Sequence, residues 1–132
     1  SGVSLPNLYV LEFYPIGDAE MANMARAITT GSLQSLTSLH LDSNHISDAC
    51  MIAFMEALKS HMGSLGGLRE LYLYENQIGD EGMKAFSAAI SSGSLRALES
   101  LDLSSNQIGD VGMIEFSRSI PIWSLASVFS SI

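Results

Sequence analysis

Two hydrophobic rhythms alternate along the chain. From Leu68 the leucines fall at 68, 71 and 73, with polar or tyrosine residues between them. A spacing of two puts Leu71 and Leu73 on one side of a strand. Then Met83, Phe86 and Ile90 follow at intervals of three and four, which is one face of a helix. The pair of rhythms recurs. Residues 36–58 read LTSLHLDSNHISDACMIAFMEAL, 68–90 LRELYLYENQIGDEGMKAFSAAI and 98–120 LESLDLSSNQIGDVGMIEFSRSI. A worn copy, IGDAEMANMARAI, occupies 16–28. The isoleucine after the turn stands at 16, 46, 78 and 108, in steps of 30, 32 and 30. A fixed period of this length is the mark of a solenoid of strand–turn–helix units. The extra pair of residues falls between Leu58 and Gly63, in a connecting loop where insertion is tolerated.

Each repeated position implies a task. Leu39 and Leu41, Leu71 and Leu73, Leu101 and Leu103 point inward, so His40, Tyr72 and Asp102 point out. Asn44, Asn76 and Asn106 follow the strands and are expected to bond backbone groups of the turn, in their own repeat or the next. Asp18, Asp48, Asp80 and Asp110 stand at the helix starts and are expected to be N-caps. Met24, Phe54, Phe86 and Phe116 lie on the buried helix face, and Gly31, Gly63 and Gly93 end the helices.

The pattern Leu-x-x-Leu-x-Leu-x-x-Asn-x-Ile-x-Asp-x-Gly-Met resembles the ribonuclease-inhibitor-like class of leucine-rich repeats, well over 33–120 and loosely over 5–31. The resemblance implies an α/β solenoid with a parallel sheet on the concave face and helices on the convex face. It also implies protein binding across the sheet. The residues placed to carry it are Ser38, His40, Asp42 and Ser43, then Glu70, Tyr72, Tyr74 and Glu75, then Ser100, Asp102, Ser104 and Ser105. Tyr72 and Tyr74 offer rigid area with polar tips, flanked by His40 and Asp102 and by Asp42 and Ser104. The chain departs from the ribonuclease inhibitor proper in having only Cys50, and no loop matches the GTPase-activating relative.

Repeats of about 5–31, 32–63, 64–93 and 94–120 make one domain of the 132 residues. The first strand has two frames: Tyr9 and Leu11 inward, which keeps the period, or Leu8 and Val10 inward. The last segment, 121–132, is a failing fifth repeat: a local cap, or a docking segment anchored by Trp123 and Phe129. The sheet ends are expected to be open, which suggests a piece of a longer chain, an oligomer or a subunit of a larger complex. The start at Ser1-Gly2 fits a removed leader or a fragment.

Charge narrows the partners. A net charge of −8 with six Lys and Arg argues against nucleic acid and favours a protein partner that is basic or neutral. The single Cys50 excludes an internal disulfide and fits an intracellular, reducing compartment, either cytoplasm or an organelle lumen. No apolar run is long enough for a membrane span. Within HLDSNHISD, His40 and Asp42 share a face, but no third metal ligand stands at a fixed spacing. No nucleophile elbow or phosphate loop occurs. Neither catalytic residue nor cofactor is expected.

Overall fold

The computed structural model describes residues 10–12, 18–31, 33–61 and 63–119. Strand and helix alternate: β1 (Val10–Glu12), α1 (Asp18–Thr30), β2 (Ser38–His40), α2 (Asp48–Ser60), β3 (Glu70–Tyr72), α3 (Asp80–Ser91), β4 (Ser100–Asp102) and α4 (Asp110–Ser119). The strands form one parallel sheet in chain order, β1-β2-β3-β4. Each helix packs on the next, α1 on α2, α2 on α3 and α3 on α4. This is the leucine-rich-repeat solenoid, with sheet and helices on opposite faces.

Register follows the leucines. Leu39 pairs with Leu71 and Leu71 with Leu101. Leu11 stands opposite Leu39, the frame that keeps the period. Hydrogen bonds run on past the short strands, with Leu41 N–H donating to Tyr72 and Leu73 N–H to Asp102, each at 2.8 Å. The core lies between sheet and helices. Leu36, Leu39, Leu41, Leu68, Phe86 and Phe116 are wholly buried there, and the Phe86 and Phe116 rings stack at 6.0 Å.

The asparagines tie repeats together, but backwards along the chain. Asn76 Oδ1 accepts from Asn44 N–H and Ile46 N–H of the preceding repeat, both at 2.9 Å. Its Nδ2 donates to Leu41 and to its own Leu73. Asn106 repeats this toward Ile78 and Leu73. An αL residue before each asparagine makes the turn that aims it: Ser43, Glu75 and Ser105 share φ 58. The direction is fixed by geometry, since the amide reaches the backbone stacked beneath it.

Asp48 and Asp80 do not cap their own helices. Asp48 Oδ1 accepts from Gly79 N–H at 2.6 Å and from Gly82 N–H at 3.1 Å, at the start of the next helix. Asp80 does the same for Gly109 and Gly112, at 2.8 and 3.0 Å. Helix α2 is capped instead by its own Ser47, whose hydroxyl accepts from Cys50 N–H. The exchange has a steric cause. A Cβ at Gly82 would stand 2.6 Å from Asp48 Oδ1, and one at Gly112 2.7 Å from Asp80 Oδ1. Cys50 has a Cβ at the corresponding place, so a local serine takes over. At the other end of the helix the stop signals behave as expected. Gly93 has φ 87, and its N–H bonds Ile90 while Ser94 N–H bonds Ala89, a Schellman closure.

Candidate binding face

Alternation along the strands decides what faces outward. With Leu39, Leu71 and Leu101 buried, the in-register residues His40, Tyr72 and Asp102 form one row across the open face. Beyond the next buried leucines, Asp42, Tyr74 and Ser104 form a second row, and the αL residues Ser43, Glu75 and Ser105 a third.

Within the first row the His40 and Tyr72 rings lie 4.6 Å apart at 46°. His40 Nε2 is 3.0 Å from Ser38 Oγ, which holds the ring from its own strand. Ser38 is therefore a buried support, 4% exposed, rather than the contact residue its outward position suggests. In the second row Asp42 raises the Tyr74 phenol above its ordinary pKa, by hydrogen bonding to it and by its charge. A carboxylate that accepts the phenolic proton and repels the phenolate has that sign. Asp102 Oδ1 accepts from Ser104 N–H at 3.0 Å and from Ser104 Oγ at 2.6 Å. Tyr72 is thus braced by His40, and the two tyrosines stand between carboxylates at 42 and 102. Glu75 is exposed beside them.

At the entrance to the sheet Arg69 and Glu99 form a bidentate pair, Nε–Oε2 3.2 Å and Nη2–Oε1 3.0 Å. With Thr37, Glu70 and Ser100 they line an open groove of about 260 Å³. This pair escaped the sequence reading. Its signal was a cation and an anion 30 residues apart at one repeat position. Being exposed on both sides, it is screened by solvent and adds little to stability.

The histidines and aspartates of HLDSNHISD are not gathered. His45 meets Gln77 at 3.2 Å, and Asp48 is occupied with Gly79 and Gly82. Cys50 is buried, 3.6 Å from Ser47 Oγ. Trp123 and Phe129 lie outside the described residues. No helix among the described residues is long and apolar enough to cross a membrane.

The Leucine Rich repeat family matches residues 32–55, 68–87 and 94–117, more than half of the chain. The chain is a leucine-rich repeat protein. No curated protein matches it. Leucine-rich repeats generally mediate protein–protein interaction and are typically non-catalytic, and the suggested partner is a protein.

Proposed function

We propose that this leucine-rich repeat protein is a non-catalytic interaction module, of the ribonuclease-inhibitor-like class, that holds a protein or peptide on the concave face of its sheet. The observation that carries the reading is the pair of outward tyrosines, Tyr72 packed on His40 and Tyr74 in the row of Asp42. The ring contact restricts the Tyr72 rotamer in advance. Less side-chain entropy is then lost on binding. Asp42, Asp102 and Glu75 surround the pair with negative charge, which steers a partner carrying Lys or Arg and repels nucleic acid. A photo-crosslinking residue at position 74 should capture the partner, while the same residue at Ile52 on the helix face should not. Capture from Ile52 alone would move the site to the convex side.

A second reading is a structural subunit, or a piece of a longer repeat protein, joined to an assembly through its ends and the segment around Trp123 and Phe129. The position of β4 as the outermost strand among the described residues favours it. Removing residues 121–132 should then abolish incorporation into the assembly.

A further inference from the structure

One strand carries acid at both ends of the tyrosine pair. Along β3 the outward residues run Glu70, Tyr72 and Tyr74, with exposed Glu75 just past them. The neighbouring strands hold small residues beside both acids. Ser38 and Ser100 pair in register with Glu70, and Ser43 and Ser105 hold the repeat position of Glu75. Asp42 adds charge beside Tyr74, and Asp102 beside Tyr72. At the Glu70 end the stripe opens into the groove of about 260 Å³ that Thr37, Arg69, Glu99 and Ser100 also line.

The 132 residues do not neutralise this stripe themselves. All six Lys and Arg are among the described residues. Arg26, Lys59, Lys84 and Arg118 lie on the helices. The last three pair there with Glu56, Glu81 and Glu115. Arg96 belongs to the connection between α3 and β4. Arg69 is the cation at the groove, and its fork is taken by Glu99.

We propose that the stripe along β3 holds an extended segment of a partner protein with the pattern Arg-x-Leu-x-Arg, or a similar apolar residue at its centre. This rests on the concave-face reading and names the chemistry of the occupant. Outward residues of a strand recur roughly 7 Å apart, at every second position. A segment extended along β3 has the same spacing, so its alternate side chains fall over Glu70, Tyr72 and Tyr74. One arginine enters the groove and meets the Glu70 carboxylate. The central apolar side chain packs on Tyr72. The second arginine lies on the Tyr74 ring, between Asp42 and Glu75. Guanidinium suits both ends, because its planar fork matches a carboxylate and its face stacks on an aromatic ring. Charge complementarity at a fixed spacing selects this occupant. The pattern reads alike in both directions, so it serves a segment running either way along β3.

The test uses three capped, fluorescein-labelled nonapeptides with the whole chain, and anisotropy reads their binding. The first is Ser-Ser-Arg-Ser-Leu-Ser-Arg-Ser-Ser. The second has the same composition with its arginines adjacent, and the third has glutamate in place of arginine. The spaced peptide should bind about fivefold more tightly than the adjacent one, since only it reaches both ends of the stripe. The glutamate peptide should not bind. Glu70→Gln and Glu75→Gln should each weaken the spaced peptide about threefold. Thermal melting shows that each variant is folded. Equal affinity for the two arginine peptides, no binding of either, or indifference to both substitutions would overturn the inference. The concave-face reading would survive that result if the crosslinker at position 74 still captured a protein. Capture from Ile52 alone would remove that reading and this inference with it. A spacing preference that persisted in Tyr72→Ala/Tyr74→Ala would place the peptide off this stripe and overturn the inference as well.

Discussion

Gly82→Ala should destabilise this protein, although glycine to alanine inside a helix ordinarily stabilises by about 1 kcal/mol. The reason is the Asp48 carboxylate. The new Cβ would lie 2.6 Å from Asp48 Oδ1, 3.1 Å from Ile78 Cγ2 and 3.3 Å from Met51 Cβ. To clear it, the carboxylate must swing away and release Gly79 and Gly82 N–H. Losing an N-cap costs about 0.5–2 kcal/mol, and losing a negative charge at a helix N-terminus a further ~0.3–1 kcal/mol. These outweigh the gain in helix propensity, leaving a net loss of about 1 kcal/mol. At this chain length that lowers Tm by roughly 3–5 °C. Asp48→Ala removes the same cap without the clash and should cost about 1–2 kcal/mol. The informative variant is the double one. Once Asp48 is alanine, the worst contact is gone, so Gly82→Ala should cost little or stabilise. Thermal and urea unfolding of the four proteins give the coupling free energy. A stabilising Gly82→Ala in the otherwise unmodified protein, or additive effects in the double variant, would refute the cross-repeat cap.

Asn76→Ala should cost about 3 kcal/mol or more, because it strips Asn44 N–H, Ile46 N–H and the Leu41 carbonyl of a buried partner at once; the urea midpoint reports it. Glu75→Gly should stabilise by about 0.5–1 kcal/mol, since φ is 58 there, while the β-branched Glu75→Val should destabilise. Tyr74 should titrate above its ordinary value, and Asp42→Asn should bring it down, followed by phenolate absorbance. Because the folded pKa is the higher one, its contribution to stability is present below the unfolded phenol's value of about 10 and is lost as pH rises through the folded one. Unfolding measured across that alkaline window should show the loss, and Asp42→Asn should flatten it.

Much of the fold was legible because it rests on repetition. The Leu-x-x-Leu-x-Leu spacing is local, and it forces His40, Tyr72 and Asp102 outward whatever the neighbours are. The period of 30 to 32 then places those residues side by side on adjacent strands. What escaped involves a partner one repeat away. An aspartate before a helix reads as a cap for that helix, and only stacking shows its oxygen at the amides of the next. The covariation was in plain sight, Ser47-x-x-Cys50 against Gly79-x-x-Gly82 and Gly109-x-x-Gly112. Its meaning required the Cβ geometry. Ser38 illustrates a different limit: alternation gives a side chain's direction but not whether His40 will fold over it. The effect of Asp42 on Tyr74 likewise needed the register of β2 against β3, which sets a phenol beside a carboxylate two residues beyond His40.

The central claim is that the tyrosine pair on the concave face holds a protein. The most direct measurement is the Kd of the crosslinked and purified partner for the unmodified chain and for the Tyr72→Ala/Tyr74→Ala variant, by calorimetry. Melting temperature is checked in parallel to show that both proteins are folded. Loss of two central aromatic anchors should weaken binding at least about tenfold, which corresponds to ~1.4 kcal/mol. An unchanged Kd would contradict the account and place the interface elsewhere on the solenoid.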